Sequence, residues 1–271
     1  MIIKNVLDEN EINDIIMLNT LCKIERIPNF DSSIFVDPTL PCFYLEYKDE
    51  KLISFLNLYY VDNTSIEIIA VTHPSYRKMG YFTLLLKEAM KNIPPSITIK
   101  YQIPSNYVDR ERLKSYGLVY HHGEEELIKK IPMNVSNLLF DLQVSDIEEA
   151  ARILGSSFNR SLSEERELLK LWMIDESLRP MVLKDNGKTL GFIVISSTSD
   201  LSTKYLFAFC IDEAYRSQGY GKQLLNNLPY NPDGYVLRVY LDNKRAMKFY
   251  SEIGFTHLST TEYFVKAKQS I

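Results

Sequence analysis

Seven consecutive residues, Arg216-Ser217-Gln218-Gly219-Tyr220-Gly221-Lys222, set two glycines and two cations between an apolar, strand-like run (Tyr205 to Ile211) and a helix-like run ending at Pro229. Glycines at such a junction let backbone N–H groups come close to a bound anion. The helix N-terminus behind them adds partial positive charge. The chemistry of such a turn is phosphate binding. The pattern is short enough to arise by chance, but it has an echo 139 positions earlier, Tyr76-Arg77-Lys78-Met79-Gly80-Tyr81-Phe82, again between strand and helix. No Gly-Lys-Ser/Thr follows either turn, which excludes a P-loop nucleotide enzyme.

Other reactive side chains are sparse. Cys22, Cys42 and Cys210 form no CxxC or zinc spacing and leave one unpaired in any disulfide scheme, the pattern of a reducing compartment. His121 and His122 are neighbours on a strand and should point to opposite faces, so no shared metal ion is expected. The run Glu124-Glu125-Glu126 reads as a solvated strand edge. Trp172, among Leu168, Leu169 and Leu171, reads as helix packing.

The elements that must position these groups come in the same order twice. In the first half, short strands and a helix from about residue 11 to 26 precede the turn at Gly80. Its helix is stopped by Pro94-Pro95, and a strand, a short helix closed by Gly117 and a strand reaching Ile131 follow. In the second half Ser145 is the expected cap of a helix carrying Ile147, Ala150, Ile153 and Leu154. Asn186-Gly187 marks a hairpin, and the Gly219 helix, a strand, a helix from Lys244 and a last strand follow. The expected fold class is α+β, three-layer αβα, with a mixed, mostly antiparallel sheet flanked by helices in each of two domains, 1–131 and 135–271. Pro132-Met133-Asn134 is the expected joint.

Net charge divides evenly: residues 1–131 hold 15 basic and 18 acidic groups, residues 132–271 hold 16 and 17. Neither half is basic, which argues against a dedicated nucleic-acid binder. The N-terminus lacks signal-peptide architecture and no apolar run reaches membrane-spanning length, so the expectation is a cytoplasmic protein with no membrane partner.

With both blocks in view, the chain resembles the GNAT superfamily of acetyl-CoA-dependent N-acyltransferases, in tandem. Arg216 to Gly221 matches the family's Gln/Arg-x-x-Gly-x-Gly/Ala loop. Leu237 to Phe255 matches its downstream block, a strand ending in Asn243, then Ala246, Phe249-Tyr250 and Gly254-Phe255. In the first half Phe82 replaces the final Gly/Ala of the loop and Leu113 stands where Tyr250 would, so that copy reads as degenerate.

The resemblance implies an N-acetyltransferase that moves an acetyl group from acetyl-CoA to a primary amine by direct attack in a ternary complex, without a metal. It implies that backbone groups of Arg216, Ser217, Gln218, Gly219, Tyr220, Gly221 and Lys222 hold the diphosphate, with Arg216 and Lys222 as counter-charges. Backbone groups of Phe209, Cys210 and Ile211 would align the pantetheine arm, and Tyr250 would donate to the leaving thiolate. Cys210 is expected to be a buried small residue rather than a nucleophile. Asn243 fits either a cofactor contact or a helix N-cap. A family base would sit ten residues before the loop arginine, where Glu67 stands in the first copy and Leu206 in the second. Tyr205, Asp200 and Glu262 are substitutes, none singled out. Arg160 and Arg179 are candidates for reading an acidic group on the acceptor, and a homodimer is an open option. The alternative is an acyl-CoA-binding or sensing module without turnover, suggested by Leu206.

Overall fold

The computed structural model describes residues 1–24, 41–62, 64–131, 138–196 and 204–266. The chain forms two compact units. The N-terminal unit comprises Met1–Glu125, Tyr240–Asp242 and Ser259–Ile271; the C-terminal unit comprises Glu126–Val239 and Asn243–Leu258. The joint expected at Pro132-Met133-Asn134 lies outside the described residues.

The first elements are β1 (Ile2–Lys4), α1 (Glu9–Leu21), β2 (Phe43–Lys48), β3 (Lys51–Asp62), β4 (Ser65–Thr72) and α2 (Tyr81–Ala89). Then come β5 (Thr98–Pro104), α3 (Arg110–Ser115) and β6 (Leu118–Ile131). α1 begins at a capping box in which Asp8 and Glu11 satisfy each other's backbone N–H. It ends earlier than its apolar spacing suggests, and Leu21 is exposed while Ile15 and Leu18 are buried. Asp49 and Glu50 turn β2 into β3 with φ of 49° and 62°, the mirror-image turn that matches strand twist.

The second set is β7 (Leu139–Asp141), α4 (Ile147–Phe158), α5 (Leu162–Ile174), β8 (Leu178–Asp185), β9 (Lys188–Ser196) and β10 (Lys204–Ile211). It finishes with α6 (Tyr220–Asn226), β11 (Asn231–Tyr240), α7 (Lys244–Glu252) and β12 (Thr256–Lys266). Ser145 is not the cap of α4. A 3-10 turn, Val144–Asp146, leads into that helix, with Gln143 and Asp146 forming the box.

In the N-terminal unit, β1 to β4 pair antiparallel in sequence order, β4 and β5 pair parallel, and β12 pairs antiparallel with β5. In the C-terminal unit, β7 to β10 are antiparallel neighbours and β10 and β11 are parallel. The strand beyond β11 there is the 126–131 end of β6. Successive side chains of β9 go to opposite faces. Ile193 and Ile195 join the core under α6 and α7, whereas Phe192 and Val194 join Ala150, Leu154, Leu169 and Trp172 of α4 and α5. Burial on both faces is what makes the unit three layers.

The acidic run on β6 is not a solvated edge. Glu126 is 3% exposed and pairs with Arg238 Nε at 2.9 Å, and Glu124 accepts from the Tyr263 hydroxyl at 2.8 Å. His121 and His122 do not diverge either: their Nδ1 atoms lie 2.6 Å apart, the rings leaning together along the strand. No group of three or more His, Cys, Asp or Glu converges among the described residues. No described helix is long and apolar enough to cross a membrane.

Candidate active site

All residues of the sequence-expected site lie in the C-terminal unit. The turn before α6 takes its shape from two left-handed residues, Ser217 (φ 62°) and Gly219 (φ 88°), the second being the helix N-cap. No side chain caps α6, and the first backbone bond into the helix runs from Gln223 N–H to Gly219 O at 3.0 Å. The N–H groups of Tyr220, Gly221 and Lys222 therefore have no acceptor within the helix. Together with the left-handed turn they form a concave donor array suited to an anion.

Side chains brace this turn from behind. Arg216 Nε donates to Ile211 O at 3.0 Å and its Nη2 to Ser157 Oγ at 3.2 Å, and Gln218 Nε2 donates to Ala214 O at 3.0 Å. Arg216 is thus a clamp between strand end and α4 as well as a nearby charge. Tyr220 packs edge-on against Tyr215. Lys222 is exposed and close enough to Lys129 to add to the burial that lowers the Lys129 pKa. A further cation, Arg245 in the first turn of α7, reaches Ser217 Oγ at 3.5 Å. Sequence reasoning missed Arg245; its signal was a position two residues beyond Asn243.

The Cβ that Gly221 lacks would lie 3.2 Å from Phe249 and 3.4 Å from Phe209. Those two rings stack with centroids 6.1 Å apart, so this glycine also serves helix-to-sheet packing.

Parallel pairing of β10 with β11 runs from Lys204↔Tyr235 to Leu206↔Leu237 and stops, although β10 continues to Ile211. Beyond Leu206 the two strands splay. The ladder from β10 to β9 also shifts register between Phe207 and Cys210, with Ala208 at φ 50°. A bulge with a left-handed alanine costs on the order of 1 kcal/mol and re-aims the peptide groups that follow. Those groups belong to Phe209, Cys210 and Ile211. The first copy differs here. Its β4 pairs with β3 without a shift from Thr72 through Ile66.

Cys210 is buried against Phe192 and the α4 core, and burial pushes its thiol up to about 12. A thiol so held is unionised at neutral pH and is not a nucleophile. Tyr250 packs its ring among Phe209, Phe249 and Phe255, and burial raises its pKa to about 12. Among the described residues its hydroxyl has no hydrogen-bond partner, leaving a protonated donor at the end of a fixed ring. Asn243 Oδ1 accepts from Ala246 N–H at 3.1 Å. It is the N-cap of α7, and only its Nδ2 is left for another contact.

Leu206 is 5% exposed in the core under α6 and α7, so no carboxylate occupies the family's base position in this unit. Tyr205 lies beneath Arg238, whose guanidinium carbon is 5.7 Å from its ring centre. Glu262 and Glu67 belong to the N-terminal unit. There Arg110 binds Glu262 at 2.6 Å, and Gln102 Nε2 donates to Glu67. Asp200 lies outside the described residues. Arg160 and Arg179 are already paired, with Glu165 at 2.5 Å and Asp141 at 2.6 Å.

A mixed sheet with one splayed parallel pair, a bulge at the splay and a glycine turn behind it is the acyl-CoA N-acyltransferase architecture. Residues 146–255 match the family model described as the acetyltransferase (GNAT) family. That match lies wholly within the second half of the chain. The fold likeness extends further. A GCN5-related N-acetyltransferase from Sphaerobacter thermophilus aligns over 98% of this chain and 95% of its own, with TM-score 0.72 and 14% identity. A GNAT-family acetyltransferase from Colwellia psychrerythraea covers 98% and 100%, with TM-score 0.58 and 13% identity. A tandem GNAT protein from the clavulanic acid biosynthesis pathway covers 98% of each chain, with TM-score 0.58 and 11% identity. At these identities the likeness is one of fold. No curated protein sequence matches the chain significantly.

Proposed function

We propose that the chain is an N-acetyltransferase whose C-terminal unit binds acetyl-CoA and passes its acetyl group to a primary amine. One observation carries this reading: the splay, the bulge at Ala208 and the donor array at Ser217–Lys222 occur together in the unit that also holds Tyr250. The residues fit the donor. The array and Arg245 suit a diphosphate, and the peptide groups freed between β10 and β11 suit an extended amide-bearing arm. When bound, acetyl-CoA supplies an activated thioester.

In the transfer the amine nitrogen bonds to the thioester carbonyl carbon and the carbon–sulfur bond breaks. A peptide N–H of Phe209–Ile211 stabilises the charge that develops on the carbonyl oxygen, a contribution of about 3 kcal/mol. The Tyr250 phenol, kept protonated by its burial, hydrogen-bonds and protonates the departing sulfur and recovers its proton from solvent. The amine's surplus proton leaves to water, since Leu206 offers no base. An amine already neutral is therefore the reactive form.

Leu206 also favours a second reading, binding of an acyl-CoA without turnover. The two separate in one assay. Free thiol released from acetyl-CoA with a panel of primary amines supports transfer, whereas tight binding with no thiol released for any amine supports the sensing module.

A further inference from the structure

The N-terminal unit carries a cleft of its own, independent of the acetyl-CoA reading. Parallel pairing of β4 with β5 ends at Ile68↔Tyr101, and a cavity of about 260 Å³ opens between the strand ends, lined among others by Ala70, Thr72, Arg77, Gln102, Tyr107 and Arg112. The equivalent residues of the C-terminal unit explain why space is left here. Ala70 stands 139 positions before Phe209, the offset of the two glycine turns. Arg112 stands 137 positions before Phe249, the offset of the Asn106/Asn243 and Gly117/Gly254 pairs. Where the C-terminal unit stacks two phenyl rings, the N-terminal unit has an alanine and an arginine whose guanidinium carbon lies 5.9 Å from the Tyr116 ring centre. The result is a void lined by arginine side chains where the other unit has a ring stack.

The lining side chains that carry charge are arginines, and the lining amide Gln102 also donates to the Glu67 carboxylate. Among the described residues, neither Arg77 nor Arg112 is ion-paired with a carboxylate. Arg77 Nε donates to Thr72 O at 3.1 Å, and its guanidinium carbon lies 5.4 Å from the Tyr107 ring centre. The Tyr107 hydroxyl is engaged with Cys22 O, and Thr72 Oγ1 with Ser54 Oγ at 2.8 Å. Gln102 is 9% exposed, and its Oε1 has no hydrogen-bond partner among the described residues. An apolar-floored void lined by two arginines and a buried amide acceptor is laid out for an anion that also carries a donor or a short carbon arm.

We propose that this cleft binds a small, doubly charged organic oxyanion, a dicarboxylate or a phosphate monoester, and is a ligand site separate from the glycine turn before α6. The volume suits a metabolite of modest size rather than a whole coenzyme. The test is calorimetric titration of the intact chain with succinate, sn-glycerol 3-phosphate and inorganic phosphate, repeated on Arg112→Gln and Arg112→Phe. Arg112 is exposed, so its replacement leaves the fold intact, which a far-UV dichroism melt checks. The expected result is one-to-one binding of succinate or glycerol 3-phosphate, the stronger of the two identifying the anion class, weakened about ten-fold or more in both variants. No heat with either organic anion up to about 10 mM overturns the proposal. So does affinity unchanged by both substitutions, equal binding of bare phosphate, or displacement of succinate by a second equivalent of acetyl-CoA.

Discussion

At the scale of single residues, the state of each group in the site is set by what surrounds it. Tyr250 is valuable because three aromatic rings fix it and burial keeps its proton, while nothing among the described residues ties up its hydroxyl. Tyr250→Phe keeps the ring and removes only the donor. Steady-state thiol release should fall ten- to a thousand-fold, with the acetyl-CoA dissociation constant almost unmoved. Gly221 tests the turn from the packing side. A leucine there would drive its Cβ into Phe249 and Phe209, and Gly221→Leu should cost about 1–3 kcal/mol in urea unfolding along with acetyl-CoA affinity. The glycine turn before α6 and the burial of Cys210 were legible in the sequence because residue types and spacing there are local. Arg245 was not, since its approach to Ser217 depends on how α7 packs. The roles of Arg160 and Arg179 were misread for a like reason: their partners Glu165 and Asp141 are met only through tertiary packing or strand pairing.

At the scale of elements, the succession of strands and helices and the hairpin at Asn186-Gly187, with φ of 48° and 77°, followed from apolar patterning and turn chemistry. Two features did not. The bulge at Ala208 is invisible in the sequence, because an alanine at positive φ violates local preference and persists only where surrounding contacts impose it. The burial of Glu126 also ran against its type. A carboxylate in a triple-glutamate run reads as solvated until a partner is known, and that partner, Arg238, lies 112 positions away. Arg238→Ala would remove a guanidinium from a carboxylate that is 3% exposed. A loss of about 3 kcal/mol is expected in the free energy of urea unfolding, with little change for the neighbouring Glu125→Ala.

At the scale of the whole molecule, two repeats are plain in the sequence, but their exchange of strand ends is not. Residues 126–131 belong with the C-terminal unit and 259–266 with the N-terminal one. Fragments 1–131 and 135–271 should therefore each fail to give a dispersed proton spectrum alone, and co-expression should restore one; independently folded halves would contradict this. Stability should also fall in alkali. Cys210 rises from an ordinary 9.0, and Tyr60, Tyr235 and Tyr250 from 10.0, each to about 12. Above pH 9 the unfolded chain sheds protons that the folded one retains, so stability is full below that point and declines as pH rises toward 12. A urea midpoint unchanged between pH 9 and pH 11 would count against these burials. In the proposed function, the glycine turn of the C-terminal unit holds the diphosphate of acetyl-CoA. The most direct test is calorimetric titration of the intact chain carrying Gly219→Asp. Aspartate tolerates the left-handed backbone better than most residues, so the substitution adds a negative charge with limited strain. Acetyl-CoA affinity should drop about 100-fold or more relative to the unmodified chain, while Gly80→Asp in the first copy leaves it unchanged. Undiminished binding by Gly219→Asp would contradict the account.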